Sequence, residues 1–182
     1  IGESVGNNMI DADTEVTMWA HILLLVTFLA VFIYDFIYKS ALAKNVRLVT
    51  IISLLLIFGV EYLMIHCGQF SYRAFNIHIG AMFGTMMAFN VWFRIWPAQQ
   101  NIITAIRDGE APDGDLVALA GLRSKHNTYL SVPLIWTMIN EHTVVFSGKL
   151  CGCTGLVLAI VIPLGWHIVF QLYKKAAKIQ GF

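Results

Sequence analysis

Five long apolar runs dominate the chain, and most of its charged residues lie in the segments between them. The runs cover residues 18–38, 48–67, 76–96, 129–146 and 153–173. Each is close to the roughly 20 residues that an α-helix needs to cross the hydrocarbon core of a bilayer. A membrane β-strand would need only about 9–11 residues in alternation, which runs such as LVTIISLLLIFGV do not show. The pattern predicts an all-α integral membrane protein, a bundle of five transmembrane helices over residues 18–174.

The composition agrees with a membrane protein. Hydrophobic residues make up 58% of the chain and charged residues 13%, whereas soluble domains carry about 25% charged residues. The 12 Lys and Arg residues nearly balance the 11 Asp and Glu residues, so the basic patch of a nucleic-acid-binding protein is missing. We therefore expect the chain to lie in the lipid bilayer and not to bind nucleic acid.

The positive charges predict the orientation, because cytoplasmic loops of membrane proteins are enriched in Lys and Arg. Alternate connecting segments place ten Lys and Arg residues on one side and two, Arg73 and Lys149, on the other. We expect a periplasmic N-terminal segment over residues 1–17 and a cytoplasmic tail over residues 175–182. A bacterial inner membrane is the expected location.

The longest connection, residues 97–128, is predicted to be a cytoplasmic loop containing two short amphipathic helices. A Gly- and Pro-containing turn, GEAPDG, separates the two. Within the third span, Gly80 and Gly84 have the four-residue spacing that is typical of close helix packing in membranes. We expect a packing contact there and no binding motif.

Four histidines are predicted to lie at the outer ends of four different spans. At 1.5 Å per residue, three of them fall roughly 6 Å below the outer interface and the fourth lies at the interface. Ionisable side chains inside a membrane are costly, and they usually face the interior of a bundle for a functional reason. The set is His21, His66, His78 and His142.

Imidazole pairs from facing helices are typical axial ligands of haem in membrane cytochromes. We therefore predict b-type haem bound by two of these four histidines, with His78 favoured because its Gly- and Ala-rich helix leaves room for a macrocycle. A copper or zinc site that uses three or four of them is the alternative metal centre. The structural alternative is that each histidine is hydrated at the interface and only packs.

Other polar residues in or beside the spans are expected to have supporting or structural roles. Glu61 and Glu141 lie near the histidine layer, where they could hydrogen-bond a ligating imidazole, carry protons, or be hydrated at the interface. Asp35 is expected to pair with Lys39 four residues later, and Asn90 to bond a neighbouring helix. His126, taken by its surroundings alone, is expected to be a capping or loop residue.

Three segments carry a family resemblance: FSYRAFNIHIGAMFGTMMAFNVWFRIWPAQQ, GEAPD and RSKHNTYLSVPLIWTMINEH. They resemble the membrane-anchored urate hydroxylase family, whose N-terminal part is a multi-helix membrane domain. The resemblance covers about residues 17–146. Its motifs include His66, His78, His126, Asn127 and His142, of which His126 and Asn127 have no assigned role.

The resemblance implies oxidation of urate to 5-hydroxyisourate, with electrons passed to a fused C-terminal cytochrome c domain. No such domain is expected in this chain, which has no Cys-x-x-Cys-His motif for covalent haem attachment. We therefore expect the chain to work with other membrane subunits, a periplasmic cytochrome c, or both.

Two further classes of function stay open. The chain could be an accessory structural subunit of a larger respiratory or other membrane complex, with or without haem. A small transporter is the least expected function, since no pair of discontinuous helices marks a binding site at the bilayer midplane.

Overall fold

A computed structural model describes residues 17–140 and 155–179, and this part of the chain is helical without any β-strand. A 3₁₀ turn, Ala41–Lys44, precedes the second helix, and a π-helical turn, Val91–Ile95, joins the third to the fourth. The all-α prediction is confirmed. The helices are α1 Met18–Lys39, α2 Val46–His66, α3 Tyr72–Asn90, α4 Trp96–Arg107, α5 Gly114–Asn140 and α6 Leu156–Ala176.

Three of the described helices, α1, α2 and α6, are long and apolar enough to cross a membrane. The other two predicted spans fall on α3 and α5, which carry more polar residues, several of them buried, such as Asn90 and Arg123. Membrane-spanning helices are thus supported, whereas the number of five spans and the orientation stay predictions. Below, the end of the bundle that contains the end of α1 and the first half of α5 is called the inner end, following the predicted orientation.

Polar residues at the helix starts explain where three of the helices begin. The side chains of Thr17, Asn45 and Ser71 accept hydrogen bonds from the backbone N–H groups of Ala20, Leu48 and Ala74. A side-chain oxygen in this position satisfies one of the backbone donors that the first turn leaves free.

Helix α3 is the centre of the bundle, packed against α1, α2 and α5, and α6 packs on the other side of α5. Its buried residues Phe75, Ile79 and Phe83 form the middle of the core together with Met64 of α2. An added Cβ at Gly80 would collide with Thr137 Oγ1 of α5, which confirms the expected close contact at this glycine. At Gly84 an added Cβ would meet no atom within 4 Å, so the predicted packing stripe is limited to Gly80.

The two helical segments and the turn predicted within residues 97–128 are present, but the segments are parts of longer helices and not short helices of a loop. The chain is helical from Tyr72 to Arg107 through the π turn, and α5 already begins at Gly114. Pro97 lacks a backbone N–H and would crowd the carbonyl four residues earlier in an uninterrupted α-helix; the π turn lies at that point. Hydropathy delimits only the apolar part of a helix, and therefore the predicted boundaries were too narrow.

Candidate functional site

The largest group of buried polar side chains lies at the inner end, around Asp35 of α1. Arg94 of the π turn bonds both carboxylate oxygens, with Nη2 at 2.5 Å and Nε at 3.0 Å. Arg123 of α5, only 1% exposed, donates through Nη2 at 2.9 Å, and Lys39 Nζ lies 3.1 Å from Oδ2. The predicted Asp35–Lys39 pair is present, but it is one of three ion pairs.

Amide and phenol groups extend this arrangement. Asn90 Nδ2 donates to Tyr34 Oη and to Asn127 Oδ1, both at 2.8 Å, which confirms the expected interhelical role of Asn90. Asn127 Nδ2 in turn donates to the Met87 carbonyl at 3.2 Å. We call the whole set the inner polar cluster: Tyr34, Asp35, Asn90, Arg94, Arg123, His126 and Asn127.

His126 belongs to the inner polar cluster, not to a loop or cap as expected from its surroundings in the sequence. It lies within α5, its Nδ1 is 2.9 Å from Tyr34 Oη, and its ring packs on Tyr38. Since Tyr34 Oη already accepts from Asn90, its own hydrogen points to His126 Nδ1. His126 precedes the predicted fourth span. Burial, and to a smaller extent the charges of Arg123 and Lys125, lower the pKa of its imidazole to about 4. The imidazole is therefore neutral at neutral pH.

Aromatic faces cover the charge of Arg123. The guanidinium carbon lies 5.3 Å from the centroid of the Tyr34 ring and 5.8 Å from that of Tyr38, within the range of cation–π attraction. Nε of Arg123 has no hydrogen-bond partner. Arg94 and Arg123 were not among the predicted site residues, although both lie in the segments that carry the family resemblance, FRIWP and RSKHN.

At the outer end, His78 is the one of the three described candidate ligands that is buried, with 7% of its surface exposed. Its Nδ1 lies 2.6 Å from the carbonyl oxygen of Ala74, and its ring packs against Phe70. Because a carbonyl oxygen only accepts hydrogen bonds, Nδ1 carries the proton and Nε2 keeps its lone pair. This is the tautomer that an imidazole needs to bind a metal through Nε2.

His21 and His66 lie on the surface of this chain. Nδ1 of His21 is 3.3 Å from the Thr17 carbonyl oxygen, and the His66 ring packs on Tyr62. His142 and Glu141 are outside the described residues. Within the two described ranges, no three His, Cys, Asp or Glu side chains are close enough to share a metal ion. Which histidines pair around a cofactor thus stays a prediction.

Glu61 of α2 is buried at the outer half, with 4% of its surface exposed. Its Oε1 has no hydrogen-bond partner. A Cβ added to Gly155, directly before α6, would lie 3.1 Å from this oxygen. Elsewhere among the described residues of the bundle, Asn140 Nδ2 donates to Tyr72 Oη and to Asn76 Oδ1.

Apolar helices that can span a bilayer, with buried polar side chains at both ends of the bundle, define a helical membrane protein. The chain belongs to the urate oxidase N-terminal family, whose model matches residues 4–180. This match confirms the resemblance to the membrane domain of urate hydroxylases. No curated protein and no solved structure matches the chain.

Proposed function

We propose that this chain is a membrane redox protein of the urate hydroxylase type, with b-type haem bound near its outer face by two of His21, His66, His78 and His142. The observation that carries the proposal is the buried imidazole of His78, whose Nδ1 is bonded to Ala74 and whose Nε2 is uncommitted. Membership of the family adds the reaction class.

We favour a haem iron over a site made of protein ligands alone because of the number of ligands required. Haem needs only two axial imidazoles, whereas copper and zinc sites need three or four protein ligands. When bound, haem supplies a one-electron acceptor within the bilayer. The Ala74 carbonyl would fix the orientation of the His78 ring and raise the basicity of Nε2.

Oxidation of urate to 5-hydroxyisourate takes its new oxygen from water and releases electrons and protons in equal number. The electrons would pass to a periplasmic cytochrome c or to a redox subunit in the same membrane. A bacterial inner membrane with the N-terminal segment outside would bring the histidine layer to the side where such a cytochrome is found. The distribution of Lys and Arg supports this orientation.

The test is the absorption spectrum and pyridine haemochrome of the purified protein, with metal analysis to distinguish iron from copper and zinc. We expect stoichiometric b-type haem in the wild type and in His167→Ala, an exposed histidine on α6 that serves as the control. His78→Ala should lose most of the haem. Haem-free wild-type protein, or full haem retention in His78→Ala, would contradict the proposal, and the former would favour the accessory-subunit function.

A second variant, His78→Met, tests the same ligand in case His78→Ala does not fold. Methionine can also bind haem iron, and replacing one imidazole by a thioether raises the reduction potential. His78→Met should therefore keep haem but shift its midpoint potential upward. An unchanged potential in a haem-loaded His78→Met protein would show that His78 is not a ligand.

A further inference from the structure

Glu61 is a buried carboxyl group without a hydrogen-bond or ion-pair partner among the described residues. It lies on the membrane-spanning helix α2 with 4% of its surface exposed, and its Oε1 is not hydrogen-bonded. No ion pair among the described residues includes it. A carboxylate in such surroundings is strongly unfavourable unless it is paired. Either a proton or a cation must therefore neutralise it.

The space around the carboxyl group is shaped by the backbone of another helix. Gly155, the residue before α6, faces Oε1 so closely that a Cβ would lie 3.1 Å from that oxygen and 3.1 Å from Ile65 Cδ1. The first turn of a helix has backbone N–H groups without intrahelical partners. Oε1 of Glu61 thus faces the residue before α6, at a distance that a side chain at position 155 would make tight.

The ionisable groups on the elements packed against α2 are engaged elsewhere. On the outer half of α1, His21 contacts the Thr17 carbonyl; on α3, His78 bonds Ala74 and Tyr72 bonds Asn140. Arg73, at the start of α3, forms no ion pair with Glu61 among the pairs of the described residues. No neighbouring charge in the described chain keeps Glu61 ionised.

We propose that Glu61 is a proton-binding site, which carries a proton at neutral pH and exchanges it with the outer side of the bundle. In one cycle the carboxyl group gives its proton to water at the outer surface. The carboxylate oxygen then takes the next proton from the donor being oxidised, while the electrons of that donor leave separately to cytochrome c. The proton site itself needs no haem; only this use of it rests on the proposed function.

The test is infrared spectroscopy of the purified full chain in detergent, with H₂O exchanged for D₂O at neutral pH. We expect the carbonyl stretch of a buried protonated carboxylic acid that shifts in D₂O, is absent in Glu61→Gln, and moves without vanishing in Glu61→Asp. Glu110→Gln, which changes an exposed carboxylate in the turn before α5, should leave the band unchanged.

Each outcome decides the proposal. A wild-type spectrum without the band, or a band that persists in a folded Glu61→Gln protein, would overturn it. A carboxylate signal that responds to sodium or potassium at fixed pH would assign Glu61 to a cation and would also overturn it. The band in haem-free protein would support the proton site while the proposed function fails, and haem without the band would show the reverse.

Discussion

Two acidic residues are buried in the described part of the bundle, and their surroundings are opposite. Asp35, at the inner end, has three cationic side chains within 3.1 Å. Among the described residues, Glu61 in the outer half has no cationic partner, and its Oε1 has no hydrogen bond. A buried charge is tolerated when it is paired and hydrogen-bonded. Asp35 meets this condition, whereas the proposed state of Glu61 is the protonated one.

The comparison indicates that the densely bonded polar residues hold the helices together, whereas polar atoms without hydrogen bonds are the candidates for binding a cofactor or a proton. In the inner polar cluster nearly every donor and acceptor is taken, and the bonds join α1, the π turn and α5. At the outer end, Nε2 of His78 and Oε1 of Glu61 form no hydrogen bond with the described residues. A site that binds a cofactor or a proton needs such groups.

The largest effect is expected from removing the charge of Asp35. Asp35→Asn leaves Arg123, which is 1% exposed, without its counter-ion, and breaking a buried pair in this way costs about 3–5 kcal/mol. The free energy of unfolding in mixed detergent micelles measures this. Asp108→Asn removes the exposed partner of Arg107 and should cost less than about 1 kcal/mol. If both substitutions lowered the free energy of unfolding equally, the ion pairs of Asp35 would stabilise the protein no more than an exposed pair does.

A smaller effect is expected from the packing of the outer half. Gly80→Ala pushes a methyl group onto Thr137 Oγ1, and overpacking of this kind costs about 1–3 kcal/mol. Gly84→Ala, one turn further along α3, meets open space and should be neutral or stabilising by up to about 1 kcal/mol. The double variant Gly80→Ala with Thr137→Ala should recover part of the loss. Without that recovery, the close contact would not be the cause.

Much of the fold was predictable because apolar runs and capping residues act locally. Helices α1, α2 and α6 follow the predicted spans to within a few residues. The extent of α5 was not predictable from hydropathy, since Arg123, His126 and Asn127 interrupt the apolar pattern. Each of them is compatible with a buried helix only because a partner on α1 or α3 bonds it.

The candidate site was predictable in part for the same reason. Depth along a helix follows from residue counting, which placed His78 and Glu61 in the outer half. The direction in which a side chain points depends on which helices are neighbours, and a single sequence does not reveal this. His21 thus shares a predicted depth with His78 but lies on the surface of the chain, as does His66, which was predicted at the interface. Arg94, in contrast, reaches Asp35 from 59 positions away.

The pH dependence of stability should distinguish the inner end from the outer end. Folding lowers the pKa of His126 from 6.5 to about 4, so the unfolded chain binds the proton more tightly. Stability is therefore full above about pH 6.5, falls as the pH is lowered toward 4, and levels off below it. Because the side chain is only partly buried, we expect a loss on the order of 1–2 kcal/mol.

Unfolding measured between pH 7 and pH 4 tests this dependence. His126→Gln keeps an acceptor for the Tyr34 hydroxyl but cannot take up a proton, so the destabilisation at low pH should shrink. His167→Gln, an exposed change on α6, should retain the wild-type slope. If His126→Gln keeps the full slope, other groups cause the acid sensitivity.

The smallest effect is expected at Glu61, where the contrast with Asp35 is sharpest. A protonated carboxylic acid and a carboxamide have nearly the same shape and charge, so Glu61→Gln at neutral pH should change the free energy of unfolding by less than about 0.5 kcal/mol. The same change of acid to amide at Asp35 is expected to cost several times more, since there the negative charge itself holds two arginines. A loss of about 3 kcal/mol or more in Glu61→Gln would mean that the carboxyl group is ionised and paired. In that case the two ends of the bundle would be held by the same kind of interaction.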